Sequence, residues 1–193
     1  MNAITNLPDQ ELLELFIKGD SRAFDTIVKR HKEKIFTSIL MLVKDKYLAE
    51  DLFQELFIRL IDIIKAGKYN DEGKFLPWAM RIAHNMCIDH FRKIKSKRTV
   101  TSSSEYNVVE NIGYADDNIE TKIMNSETAG NIRKMIDKLA DDQREVIILR
   151  HYANLSFREI AALTDCSINT SLGRMRYGLL NLRKMMQTKN IAA

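Results

Sequence analysis

The stretch from Ser156 to Met186, SFREIAALTDCSINTSLGRMRYGLLNLRKMM, reads as two helices joined by a break too short for anything but a sharp corner. Ser156 and Glu159 have the S-x-x-E spacing of a capping box, in which hydroxyl and carboxylate each accept a backbone N–H that the first turn leaves free. A helix therefore starts at Ser156 and is expected to end near Thr164. Asp165, Cys166 and Ser167 then form the corner, with Ser167 as N-cap of the second helix. At about 100° per residue from Asn169, Ile168, Leu172, Met175, Leu179, Leu182 and Met186 fall on one side. Asn169, Thr170, Gly173, Arg174 and Tyr177 fall on the other. The expectation is a helix-turn-helix whose second helix packs with the first set and leaves the second set free.

Such a helix can enter a DNA major groove, where residues of its N-terminal half meet the bases and its free N–H groups favour phosphate. Asn169, Thr170 and Arg174 lie in that half. An ordinary polar surface on an all-α protein would show the same wheel, but the local charge favours DNA. From Arg144 to Lys189 there are eight Lys or Arg against Glu145, Glu159 and Asp165, a net of about +5.

Composition sets the wider frame. With only two prolines and seven glycines in 193 residues, and apolar positions recurring at helical spacing, the fold class is all-α. The N-terminus MNAITNLPDQELLEL has no basic start followed by an apolar core, and IFTSILMLV is far too short to span a bilayer. A cytoplasmic protein without membrane insertion is expected. Cys87 and Cys166 lie in different parts of the chain and imply no disulfide framework.

The formal net charge of +4 conceals a basic, acidic, basic order. Arg92, Lys93, Lys95, Lys97 and Arg98 are followed by Glu105, Glu110, Asp116, Asp117, Glu120 and Glu127, opposed by Lys122 alone, in a Ser/Thr-rich stretch without periodicity. Such composition buries too little apolar surface to offset its ordering entropy. The chain thus divides into a helical domain over 8–95, a flexible acidic linker over 96–125 and a four-helix domain containing the helix-turn-helix over 126–188. Helices are expected at DQELLELFIKG, SRAFDTIVKRHKEKIFTSILMLVKD, YLAEDLFQELFIRLIDIIK and FLPWAMRIAHNMCIDHFRKIK in the first domain. In the second, a helix carrying Ile132, Met135, Ile136 and Leu139 and another at DQREVIILRHY precede the corner.

In the last helix of the first domain, Arg81, Asn85, Ile88 and Arg92 share one narrow face leading into the basic tail. A strand laid along it would meet two guanidiniums for phosphates and an amide able to read a base edge, although a solvated face with incidental arginines has the same pattern. Before it, KAGKYNDEGKF from Lys65 to Phe75 is the loop suited to recognition, and Tyr69 and Phe75 could stack on unpaired bases. Trp78 is expected to anchor the core. The helix YLAEDLFQELFIRLI presents Asp51, Gln54, Glu55 and Arg59 beside Phe57, a mixture suited to a protein partner or, more simply, a charged face with a Glu55–Arg59 pair.

His84, Cys87 and His90 resemble a metal triplet, but His90 lies about 240° around the helix from His84, so the three cannot converge on one ion. No paired nucleophile and base, no phosphate-cradling loop and no Cys-x-x-Cys is present. The chain is expected to have no enzymatic activity, metal, cofactor or small-molecule substrate.

Three separated motifs carry a more specific resemblance. DLFQELFIRL from Asp51, F-x-x-W-x-x-R-I-A-x-N-x-x-I-D-x-x-R from Phe75 to Arg92, and DDQREVIILRHYANLSFREIAALTDCSINTS from Asp141 occur in the order found in the extracytoplasmic-function group of bacterial RNA polymerase sigma factors, which the chain resembles over both domains. The resemblance implies a promoter-specificity subunit that binds core RNA polymerase, recognises promoter DNA and captures the melted minus-ten element, and whose partners could include an anti-sigma factor. It implies that Asp51, Gln54, Glu55, Phe57 and Arg59 dock on the polymerase. It assigns the minus-ten element to Lys68, Tyr69, Asn70, Lys74, Arg81, Asn85 and Arg92. On the minus-thirty-five element it sets Asn169, Thr170 and Arg174 nearest the bases, with Ser156, Arg158, Arg176 and Tyr177 on phosphates. The chain departs from the family at Ser171, Leu172 and Gly173, where a branched apolar, a basic and a small residue are usual. The rival reading is a stand-alone helix-turn-helix regulator that binds a palindromic duplex without polymerase. An all-α enzyme or adaptor would need a convergent catalytic set that the sequence does not contain.

Overall fold

The computed structural model describes residues 4–70, 74–100 and 127–188. Every regular element among them is helical, and they divide into two compact units. The first holds α1 (Asp9–Ile17), α2 (Ser21–Val43), α3 (Lys46–Lys65) and α4 (Phe75–Val100), after a 3-10 turn at Ile4–Asn6. The second holds α5 (Glu127–Ile136), α6 (Asp141–His151), α7 (Phe157–Leu163) and α8 (Ile168–Thr188). Helix α4 continues beyond Lys95, where the linker was expected to begin; 101–126 lies outside the described residues.

Short polar residues punctuate the first unit. The Arg22 N–H donates to Asp20 Oδ1 at 3.1 Å and the Leu48 N–H to Asp45 Oδ1 at 3.1 Å, so an aspartate caps the N-terminus of α2 and of α3. Gly67, at φ +66°, turns the chain out of α3 while its N–H reaches the Ile64 carbonyl at 3.0 Å. The core is built by Leu12 and Leu13 of α1, Ile27, Ile35 and Ile39 of α2, Leu56, Leu60 and Ile64 of α3, and Phe75, Ala79 and Met80 of α4, all fully or almost fully buried. Helix α2 is tied to α1 by Asp9, which pairs with Arg30 and accepts the His31 ring at 2.7 Å. His31 in turn lies 5.5 Å from the Phe75 ring, beside the start of α4.

In the second unit Met135, Ile136, Val146, Ile147, Ile148, Leu149, Leu155 and Ile160 form the core. The capping box is complete: the Glu159 N–H donates to Ser156 Oγ at 3.3 Å and the Ser156 N–H to Glu159 Oε2 at 2.8 Å. The corner turns through Asp165 at φ +49°, a left-handed conformation that a short polar side chain tolerates. Cys166 closes it with its N–H on the Ala161 carbonyl at 3.0 Å, and the Thr170 N–H donates to Ser167 Oγ at 3.0 Å, the N-cap of α8.

The packing face of α8 differs from expectation. Ser171, Met175 and Gly178 are buried, whereas Ile168, Leu172 and Leu179 are 44–46% exposed. The reason is steric. A methyl at Gly178 would come within 2.8 Å of Ile147 Cδ1, so α6 and α8 meet where α8 has no bulk. Asn181 Nδ2 donates to Gln143 Oε1 at 2.9 Å on the same contact.

Candidate nucleic-acid and partner interfaces

Helix α3 presents one continuous exposed stripe. Asp51, Gln54, Glu55 and Arg59 project from it, and Glu55 pairs with Arg59 one turn on. Phe57, expected beside them, instead points inward: it is 9% exposed, 4.9 Å from the Phe53 ring and 6.2 Å from Phe24. It can support the stripe from behind but cannot touch a partner. The apolar contribution to the stripe comes from Ile58, 61% exposed, and Tyr47, 76% exposed. Both were legible from spacing, since 47, 51, 54, 55, 58 and 62 recur at helical intervals.

A second exposed set lies at the junction of α3 and α4. Lys68, Asn70 and Lys74 are exposed in the connecting loop, whose residues 71–73 are outside the described set. Lys74 also starts α4, its carbonyl accepting the Trp78 N–H at 3.2 Å. Tyr69 is half-buried with its ring 4.3 Å from that of Trp78, and Trp78 is itself 5.8 Å from Phe75. Phe75 is 1% exposed, so it anchors this cluster and is withdrawn from any base. Trp78 is half-buried, partly core and partly the support of Tyr69. Along α4, Arg81, Asn85 and Arg92 are exposed on one side, with Arg92 3.7 Å from Asp89, while Ala79, Met80, Ala83 and Met86 are buried on the other.

The third set surrounds α8. Asn169, Arg176 and Tyr177 are exposed, as is Arg158 on α7. Thr170 is exposed, but its hydroxyl is 2.9 Å from Ser167 Oγ and belongs to the cap. Ser156, expected on a phosphate, gives its hydroxyl proton to Glu159 Oε2 at 2.7 Å, and that carboxylate repels an anion at the same place. Arg174, expected nearest the bases, is drawn back onto α6, with Nε 3.2 Å from Asp142 Oδ2. The physical cause is the rotation of α8 about its axis: with Gly178 against α6 and Ser171 turned to Cys166 of the corner, Arg174 stands on the flank of the α6 contact. The free face consists instead of Asn169, Leu172, Gly173, Arg176, Tyr177 and Leu180. Leu172, Leu179 and Leu180 also line an apolar groove with Phe157, between Arg176 and Arg183.

The two thiols occupy opposite environments. Burial pushes the Cys87 thiol up to about 12. Cys166, at the corner, feels burial that raises its pKa, but the hydroxyls of Ser171 at 3.1 Å and Thr164 at 3.2 Å and the charge of Arg174 outweigh it and hold the thiol below its usual value. Among the described residues no three His, Cys, Asp or Glu side chains converge as a metal set, and no helix is long and apolar enough to cross a membrane.

Comparison with known proteins matches both units. Residues 27–97 fit the family described as Sigma-70 region 2 and residues 129–171 that described as Sigma-70, region 4. The extracytoplasmic-function (ECF) RNA polymerase sigma factor SigW of Bacillus subtilis is 31% identical over 175 residues, covering 88% of this chain and 92% of that protein. The RNA polymerase sigma-H factor of Pseudomonas aeruginosa is 27% identical over 176 residues, covering 89% and 90%. Among solved structures, CnrH in complex with the cytosolic domain of CnrY shares the fold at TM-score 0.65 and 19% identity, over 94% of this chain and 99% of that one. The sigma factor RpoE of Bartonella quintana, solved with the anti-sigma factor NepR, does so at TM-score 0.64 and 19% identity, over 85% and 96%.

Proposed function

This chain belongs to the extracytoplasmic-function group of sigma-70 RNA polymerase sigma factors, and from that premise we propose how its work is divided among three surfaces. As a member, it is a non-enzymatic subunit that binds RNA polymerase and promoter elements and initiates transcription. The α3 stripe of Asp51, Gln54, Glu55 and Arg59 docks on the core polymerase, with Ile58 and Tyr47 supplying the apolar contact that carboxylates alone would not. The loop residues Lys68, Tyr69, Asn70 and Lys74, with Arg81, Asn85 and Arg92 of α4, hold the separated strand of the minus-ten element: lysines and arginines on phosphates, Tyr69 on a base, Asn85 on a base edge. Trp78 beneath Tyr69 fixes the orientation of that ring before DNA arrives.

The free face of α8 reads the minus-thirty-five element as duplex. The observation that carries this assignment is the seating of α8: Gly178 brings one side close against α6, and Asn169, Arg176 and Tyr177 stand exposed on the other. Arg158 and Tyr177 contact phosphates. Arg174 acts from the flank, where it also neutralises Asp142. The protein works in the cytoplasm, where the polymerase is, and the complex of its structural neighbour RpoE with the anti-sigma factor NepR supports an anti-sigma factor as a further partner.

Run-off transcription with purified core polymerase on a fragmented genomic library, with and without this protein, tests the proposal. Discrete new starts sharing two upstream elements are expected. Binding to bare palindromic duplex with no new starts would overturn it in favour of a stand-alone regulator.

A further inference from the structure

We propose that Leu172 reads the C5-methyl group of a thymine in the upstream duplex element, so that this chain selects an A·T pair there by apolar contact where an arginine would have selected guanine. The inference rests on the sigma reading above and specifies the sequence that its α8 face takes. Leu172 lies in the N-terminal half of α8, the part of a recognition helix that meets base edges. It is 44% exposed, about 120° around the helix from Gly178, which meets α6, and it forms the outer wall of the groove with Phe157. Around the helix it stands about 60° from Asn169 and about 40° from Arg176, the two polar side chains of the same face.

The neighbours of Leu172 leave that role to it. Arg174 is held on the flank by Asp142. At Gly173 a methyl group would meet nothing within 4 Å, so the helix surface beside Leu172 is low and open and permits close approach to the groove floor. The only apolar group that a major groove offers on its base edges is the thymine methyl, and aliphatic side chains are its usual partners. Asn169 is suited to the N6 and N7 of an adenine, which makes an A·T-containing step the natural complement of this face. Arg176, which lies between Leu172 and Asn169 around the helix and one turn on from Leu172, supplies the phosphate or guanine contact that keeps the helix in register. Leu179 and Leu180 continue the apolar groove two turns further along α8, beyond the half of the helix that a groove admits.

Replacing thymidine by deoxyuridine removes only the methyl and leaves each hydrogen-bonding group in place, which isolates the contact. Once run-off transcription has given a promoter, each thymidine of its upstream element is exchanged singly for deoxyuridine, and open-complex formation by the reconstituted holoenzyme is measured for the wild type, Leu172→Ala and Arg176→Ala. The wild type is expected to lose about fourfold at one thymidine, the effect of one methyl-sized apolar group leaving its contact. Leu172→Ala should be weaker on the unmodified promoter and indifferent to deoxyuridine at that position, whereas Arg176→Ala should be weaker yet keep the ratio. Insensitivity of the wild type at all thymidines would overturn the proposal. So would an unchanged ratio in Leu172→Ala, which would assign the leucine to a protein contact. Failure of the wild type to initiate on the unmodified promoter would instead strike at the sigma reading itself.

Discussion

Asp9 shows how a single side chain can set the acid limit of the first unit. Burial alone would raise its pKa, but the hydrogen bond and charge of His31 and of Arg30 outweigh burial and hold it below the ordinary 3.8. A carboxyl depressed on folding stabilises the native state at pH values above its unfolded pKa, and the contribution is lost as pH falls through the folded value. Asp9→Asn should therefore be less stable than the wild type in urea at pH 7, and the difference should close as pH falls below 3.8. Trp78, the sole tryptophan, lies in this unit and reports the transition by fluorescence. The two thiols provide a second check, because only a thiolate attacks an alkylating agent. At pH 8 iodoacetamide should label Cys166 in the folded protein while Cys87, with its thiol near 12, is spared until unfolding; peptide mass spectrometry distinguishes the two.

At the scale of the element, α8 is decided by its glycines. Gly178 touches Ile147 and Gly173 faces open space. Gly173→Ala should stabilise the second unit by up to about 1 kcal/mol through helix propensity. Gly178→Val should destabilise it by about 1–3 kcal/mol, because the added bulk must push α6 and α8 apart. Far-UV circular dichroism during urea titration of the full chain measures both, and similar effects at the two sites would contradict the seating of α8 described above. The capping box and the corner behave differently, since each is complete within a few residues. Ser156, Glu159, Asp165 and Ser167 were readable from sequence because a cap depends on side chains reaching backbone groups less than a turn away.

On the whole-molecule scale, the proposed surfaces lie in two separately packed units, and their variants should act independently. Ile58→Asp is expected to weaken core polymerase binding tenfold or more, at least about 1.4 kcal/mol, by placing a charge at the apolar centre of the α3 stripe. Because Ile58 is exposed, thermal unfolding should not change. Competition against a labelled sigma factor for core enzyme measures the loss, and Leu172→Ala should leave that binding intact; combined, the two changes should add. The chain's local chemistry, read by itself, determined that the protein is all-α, where the capped helices begin, where the helix-turn-helix corner falls, and which polar side chains of α3 and α4 are exposed; it ended α4 at Lys95, whereas the helix runs to Val100. Those properties follow from periodicity and from contacts within one turn. Only the tertiary structure decided that Phe57 is core, that Phe75 supports rather than stacks on DNA, that Arg174 is bound to Asp142, and that Leu172 belongs to the free face. A helical wheel assigns the packing face to the largest apolar residues. Two helices approach most closely where their side chains are smallest, and neither Gly178, which seats α8 on α6, nor Ser171, buried beside Cys166 of the corner, carries an apolar signal by which a wheel could find it.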